Sequence, residues 1–240
     1  DAAAQTVADI IAAKVLPAGM EIMDNLSINA VEDVAKTNCY PRDAAAILLV
    51  ELDGLAIEVE ANAQAVGALC RQNGARQVTA ASEASDRLKL WKGRKAAFAA
   101  AGHMSPDYYV QDGVVPRAKL VWILQEIAQL SEQYGYQIAN VFHAGDGNLH
   151  PLILYDKSQP GQLEAVETLG GEILKRCVAA GGTISGEHGI GAEKRCYMPE
   201  MFSPIDLETM QWLRQAFDPH HLANPEKVFP TPKTCGEAAQ

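Results

Sequence analysis

The 240-residue chain lacks any long hydrophobic run. Its longest strictly apolar stretch, Ala44 to Val50, falls far short of a membrane span, which takes roughly 20 residues. It also lacks blocks of like charge and low-complexity tracts. With 48% hydrophobic and 21% charged residues, a disordered chain is excluded and a folded core is expected. Positive charge is scarce: 20 Lys and Arg stand against 30 Asp and Glu, a formal net charge of −10. Such a chain is a poor partner for nucleic acid, whose phosphates need clustered Lys and Arg. Cysteines number five, an odd count, and none stands in C-x-x-C spacing. That argues against a disulfide framework and a cysteine zinc knuckle; the expectation is reduced thiols in a cytosolic protein. No G-x-S-x-G or Walker pattern occurs. The glycines of Gly186 to Gly191 do not form a proper G-x-G-x-x-G after a strand, so a dinucleotide fold is disfavoured. The chain opens at Asp1 without a signal peptide and directly into an amphipathic helix, which suggests a piece of something longer.

What is present is a succession of helix and strand patterns. Thr6 to Val15 carries apolar residues at helical spacing and stops at Pro17 and Gly19. Met20 to Met23 is a short apolar stretch of either type, and Asp24 to Asp43 reads as polar and irregular. Ala45 to Leu52 reads as a buried strand, Ile57 to Gln72 as a helix and Gln77 to Ala81 as a strand. The order then recurs: helix Arg117 to Tyr134, strand Tyr136 to His143, turn Gly145 to Asn148, strand Leu149 to Tyr155, helix Leu163 to Val178 and a strand from Thr183 to Ser185. Helix–strand–strand–helix–strand thus appears twice, which favours an α+β fold with an antiparallel sheet covered by helices. A last helix spans Pro204 to Phe217, with Ser203 at its N-cap and Pro204 in its first turn. The tail after Pro230 is expected to be loose.

The densest chemistry lies between His143 and His150. If Gly145 to Asn148 close a hairpin, the two histidines pair across it and face one side, close enough to share a metal ion. Glu187, spaced from Thr183 and Ser185 at strand alternation, is the third candidate ligand. Two histidines and a carboxylate suit Zn²⁺, Mn²⁺ or Fe²⁺ and leave positions open for a ligand. His188 beside them is a candidate general base. Spacing alone is equally compatible with hydrogen-bonded structural histidines and an ordinary loop. Asp146 is better explained by turn chemistry than by ligation.

At these residues a resemblance enters. HAGDGNLHP (from His143), SGEHGIGAEK (from Ser185) and FDPHHLANPEKVF (from Phe217) resemble the C-terminal cap domain of FAD-linked oxidases, the vanillyl-alcohol-oxidase type. Within that group they are similar to the FAD-linked subunit of glycolate oxidase and to D-lactate dehydrogenases. LPAGMEIMD, AAAILLVELDG, LWKGRKAAF and PDYYVQDGVVPR agree, so the likeness covers nearly the whole chain. It implies a duplicated ferredoxin-like antiparallel sheet with helices, and one cap domain over residues 1–240. It further implies that FAD is held mostly by an N-terminal domain preceding this region.

By the same resemblance, His143, His150 and Glu187 match metal ligands and His188 a proposed base. Arg94 matches an arginine that binds the substrate carboxylate, as a bidentate guanidinium should. Without the resemblance Arg94 reads as a solvated helix charge, and Asn224, which matches a segment near the flavin, as a turn former before Pro225. Some relatives carry an Asn two residues after the second histidine, where this chain has Leu152; a small substrate is therefore favoured over a larger dicarboxylate. The implied reaction is oxidation of a 2-hydroxy acid, glycolate or D-lactate, to a 2-oxo acid with hydride passing to FAD. Implied partners are the FAD-binding domain and further oxidase subunits, an iron–sulfur one among them. The implied location is the cytoplasm, with peripheral attachment to the inner membrane face through those subunits. Two other classes stand beside this reading: a metal-dependent hydrolase, and a non-catalytic assembly module with structural histidines.

Overall fold

The computed structural model describes residues 1–231 and residue 235. The architecture is α+β. Five strands form one antiparallel sheet: β1 (Gly19–Asp24), β2 (Ala46–Glu51), β3 (Asp107–Val110), β4 (Ile138–His143) and β5 (Asn148–Tyr155), in the order β2-β1-β4-β5-β3. Seven α-helices accompany it among the described residues: α1 (Ala2–Ala12), α2 (Asn25–Ala35), α3 (Ala56–Gln72), α4 (Ala84–Met104), α5 (Leu120–Tyr134), α6 (Gln162–Ala179) and α7 (Pro204–Phe217).

Period-two alternation sorts the strand side chains into two cores. Met20, Ile22, Phe142, Leu149 and Ile153 point to one face, where they pack with Val7 and Ile10 of α1, Ile123 and Ile127 of α5, and Leu169 and Ile173 of α6. Met23, Ala139, Val141 and Leu152 point to the other face, against Ile28 and Val31 of α2 and Ala97, Ala100 and Ala101 of α4. Small residues let α4 lie close here. A Cβ on Gly93 would fall 2.2 Å from the Tyr40 ring, whose hydroxyl donates to the Leu90 carbonyl.

Four expectations need correction. Asp24 to Asp43 is not irregular throughout, since it holds α2. Asp24 caps that helix by accepting from Ser27 N at 2.9 Å, and burial of Ile28, Ala30 and Val31 offsets the weak propensity of its Asn and Ser residues. Gln77 to Ala81 is irregular chain, exposed from Gln77 to Ala80, and joins no strand of the sheet. Thr183 to Ser185 contributes a single bridge, Thr183 to Val114, rather than a strand. Finally, Cys196 and Cys235 form a disulfide, whereas Cys39, Cys70 and Cys177 are free. Their separation of 39 residues hid that proximity from a reading based on spacing.

Helices α3, α5, α6 and α7 and strands β2, β4 and β5 lie close to where periodicity put them; α1 starts before the expected Thr6, and α4 and β3 stand where no element was expected. Ser203 accepts from Asp206 N, and Asp206 accepts from Ser203 N at 2.9 Å, a reciprocal cap on α7. The element order differs between the halves: α2 intervenes between β1 and β2, whereas β4 and β5 form a direct hairpin. Of the tail after Pro230, residues 232–234 and 236–240 lie outside the described residues. Among the described residues no helix is long and apolar enough to cross a membrane.

Candidate functional site

The hairpin sets the histidines differently from a direct pair. Ala144 to Gly147 form the turn, so His143 stands opposite Asn148, and His150 stands opposite Val141. Moving the turn centre by one residue shifts the pairing by two, which preserves the face. His143 and His150 therefore still share the side covered by α2 and α4, as diagonal neighbours with ring centroids 5.1 Å apart and nearly perpendicular planes. His150 is buried against Phe98 of α4, while His143 is half-buried.

Strand β1 brings in a residue that sequence reasoning missed. Glu21 is the direct cross-strand partner of His143 and accepts from its Nδ1 at 2.7 Å. Arg94 of α4 then neutralises Glu21: Nε donates to Oε2 at 2.9 Å, and Nη2 lies 2.8 Å from the same oxygen. That second approach is an ion-pair distance without hydrogen-bond alignment, so Nη2, although buried, has no aligned acceptor. Arg94 is thus a buried, paired group and not a solvated helix charge. An isolated acidic residue inside the apolar stretch Met20 to Met23 was the available signal for Glu21.

Glu187 completes the convergence. Its Oε1 lies 2.9 Å from His150 Nε2 and 3.6 Å from His143 Nε2. The other nitrogen of His150, Nδ1, sits 3.3 Å from the Gln111 carbonyl. The hydrogen bond to Glu21 raises the pKa of His143 above its ordinary value, against the effect of burial. Burial lowers that of His150, favouring a neutral ring. A neutral imidazole has one proton, yet His150 faces an oxygen on both sides. With Nδ1–H directed at Gln111, its Nε2 lone pair points at the Glu187 carboxylate, an arrangement that a cation between them would satisfy. Ring Nδ1 atoms held by a carboxylate or a carbonyl, with Nε2 atoms converging on a third donor, is the outer-shell pattern of a metal site. His150 and Glu187, with His188 and Asp112 within 4.8 Å, suit a divalent cation, while His143 stands outside that tight group and approaches it through Glu187 at 3.6 Å.

Glu187 does not reach this place on a strand. Ser185 to Gly189 bends around the buried carboxylate of Asp112, which also went unpredicted. Asp112 Oδ2 accepts from Ser185 Oγ (2.8 Å), Gly186 N (3.1 Å), His188 N (2.8 Å) and Lys194 Nζ (3.1 Å), and Oδ1 accepts from Glu187 N (3.2 Å). Burial alone would raise the Asp112 pKa. The His188 and Ser185 hydrogen bonds and the Lys194 charge outweigh it and hold the carboxyl well below the usual range. Asp112 also lies within ligand range of His150, Glu187 and His188; its Oδ2 is taken up by these bonds, whereas Oδ1 accepts from Glu187 N alone. Gly186 is required by close approach, because a Cβ there would fall 2.7 Å from the Asn148 amide. His188 stacks on His150 at 5.0 Å between centroids, 13° from parallel, with its ring exposed.

Asn224 is not drawn into this cluster by any contact among the described residues. It is exposed, with φ of 47°; its carbonyl accepts from Arg214 and its side chain from Lys227. Leu152 is buried in the core beneath α2 and α4 and presents no polar group.

Comparison with known proteins gives the chain's relatives. The chain is 49% identical over 231 residues to the glycolate oxidase subunit GlcD of Escherichia coli (strain K12), covering 96% of this chain and 46% of that protein. It is 37% identical over 229 residues to the GlcD subunit of Bacillus subtilis (strain 168), covering 95% and 48%. With the D-lactate dehydrogenase of Archaeoglobus fulgidus it shares 33% identity over 222 residues, covering 91% and 47%. The chain therefore spans about half the length of the curated relatives it matches. Among solved structures, p-cresol methylhydroxylase superposes with a TM-score of 0.67 at 14% identity, over 94% of this chain and 50% of that one, which shows a shared fold. Residues 1–228 match the family described as FAD linked oxidases, C-terminal domain, and the chain belongs to that family.

Proposed function

We propose that the chain provides the substrate- and metal-binding half of a FAD-dependent 2-hydroxy-acid oxidoreductase acting on a small substrate such as glycolate or D-lactate. The observation that carries this reading is the convergence of His143 Nε2, His150 Nε2 and Glu187 Oε1, with each Nδ1 held from behind. Zn²⁺, Mn²⁺ and Fe²⁺ all suit those donors. When bound, FAD would take up the substrate's hydride and the cation would lower the pKa of its hydroxyl.

The chain's own residues do the rest. His143, His150 and Glu187 fix where the hydroxyl and one carboxylate oxygen of the substrate stand. Arg94, whose buried Nη2 lacks an aligned acceptor, would be the group to meet the substrate carboxylate. It would share its guanidinium between substrate and Glu21. His188, exposed and stacked on His150, receives the hydroxyl proton. Leu152 offers nothing to a second carboxylate, in keeping with a small acid. The flavin-side role of Asn224, and association with oxidase subunits (an iron–sulfur one included) at the inner membrane face, belong to the same proposal. It draws on the names of the relatives, which are glycolate oxidase subunits and D-lactate dehydrogenases.

Two measurements test it. Elemental analysis of the purified chain should find stoichiometric metal that is lost in the His143→Ala/His150→Ala double variant. In the flavin-containing enzyme, His150→Ala should slow flavin reduction by glycolate or D-lactate by about 10²–10⁴-fold, the range for loss of proton-transfer and polarising groups. Normal flavin reduction in that variant would sink the proposal.

A further inference from the structure

We propose that Asp112 and Lys194 are positioning residues of the site, setting where Glu187 and His188 stand against the two histidines. This rests on the metal-binding reading above. The segment from Ser185 to Gly191 has no strand or helix of its own, and Gly189 and Gly191 take left-handed backbone conformations, with φ of 82° and 56°. The Glu187 side chain is half exposed, so packing does not hold it. What holds the segment is a fully buried carboxylate with no exposed surface, bonded to three successive backbone N–H groups and one hydroxyl. Ser185 extends the network, as its Oγ also accepts from Gly189 N at 2.8 Å.

A carboxylate withdrawn from water needs a counter-charge. Lys194, 4% exposed, provides it at 3.1 Å. Because Lys194 follows the segment, the pair ties its far end to the same anchor as its near end. The preceding residue, Gln111, holds His150 Nδ1 through its carbonyl. One dipeptide at the end of β3 therefore sets both the histidine side and the carboxylate side of the site. The bonds of Asp112 point into the segment's backbone, the geometry of an anchor. Loss of such outer contacts weakens metal sites by roughly 10–100-fold.

The test is calorimetric titration of the 240-residue chain with Zn²⁺, paired with hydrogen exchange of the amides of residues 185–189, each well below the variant's melting temperature. Asp112→Asn keeps the shape but removes the charge and one acceptor. The expected result is zinc affinity weaker by 10–100-fold and exchange at 185–189 at least tenfold faster, with β4, β5 and α6 protected as before. Lys194→Met should move both readouts the same way; if it moves neither, Lys194 has no positioning role. Unchanged affinity and loop protection in Asp112→Asn would overturn the proposal. So would binding abolished as fully as in His150→Ala with loop exchange unchanged, which would make Asp112 a ligand. If the unaltered chain binds no zinc, the metal reading fails, and the loop exchange of Asp112→Asn alone decides whether Asp112 positions Glu187 and His188. Should Asp112→Asn not fold, Ser185→Ala removes one donor only. A several-fold loss of affinity with faster loop exchange is then expected, and no change in either overturns the proposal.

Discussion

At the residue scale, charge placement shapes both the candidate site and the stability of the fold. Glu21 is held by Arg94 on one side and holds His143 on the other. Glu21→Gln keeps the shape but gives up the charge and, with it, control of the His143 tautomer. Zinc affinity in the chain should fall by about 10–100-fold, measured by the same titration. A second carboxylate bears on the stability of the fold. Glu32 of α2 accepts from Asn38 N (2.8 Å), Tyr40 N (3.1 Å), Cys39 N (3.2 Å) and the Thr37 hydroxyl. Burial alone would raise its pKa, but these bonds outweigh it and hold the group below its ordinary 4.5. A folded-state pKa below the unfolded one means that the stabilisation is full above about pH 4.5 and lost as the pH falls through the folded value. Glu32→Gln should therefore lower stability by about 1–3 kcal/mol at pH 7. The two proteins should converge on acidification, as denaturant titrations at pH 7 and pH 3.5 would show.

At the element scale, what was legible followed from local chemistry. Helices α3, α5, α6 and α7 and strands β2, β4 and β5 carry their own periodicity or caps, and they stand near where those signals put them. The reciprocal cap of α7 is local enough to test alone: Ser203→Ala should cost about 1 kcal/mol, read from thermal unfolding. Helix α4 has almost no amphipathic pattern, since its buried face is built from Gly93, Ala97, Ala100 and Ala101. Such residues mark a close helix contact only once α2 and Tyr40 are in place. The Thr183 bridge was mistaken for a strand because alternation extends over too few residues to separate one bridge from a ladder. A Cβ on Gly182 would lie 1.8 Å from the Val114 carbonyl oxygen, which accepts from Thr183 N. Gly182→Ala should therefore displace the start of the Glu187 segment. It should cost about 1–3 kcal/mol and weaken zinc binding as well, whereas a purely local strain would leave affinity intact.

For the molecule as a whole, one sheet separates two tasks. The face under α1, α5 and α6 is an apolar core around Phe142, which is fully buried. Phe142→Ala should cost about 3–5 kcal/mol in urea unfolding, with zinc affinity of the folded protein retained. The opposite face carries Glu21, His143 and His150 at the border of the core under α2 and α4, so the polar groups of the candidate site are interleaved with packing residues along the same strands. The sequence by itself determined the class of fold, most element positions and the common face of His143 and His150, because periodicity and turn residues act over a few neighbouring positions. It also carried the long motifs by which the family is recognisable. Only the tertiary structure decided the hairpin register, the burial of Arg94 against Glu21, the Cys196–Cys235 disulfide and the Asp112–Lys194 anchor beneath Glu187. Each joins residues far apart in the chain. Burial makes an unpaired charge costly, so the partner a buried charge finds is set by which elements meet and not by spacing along the sequence.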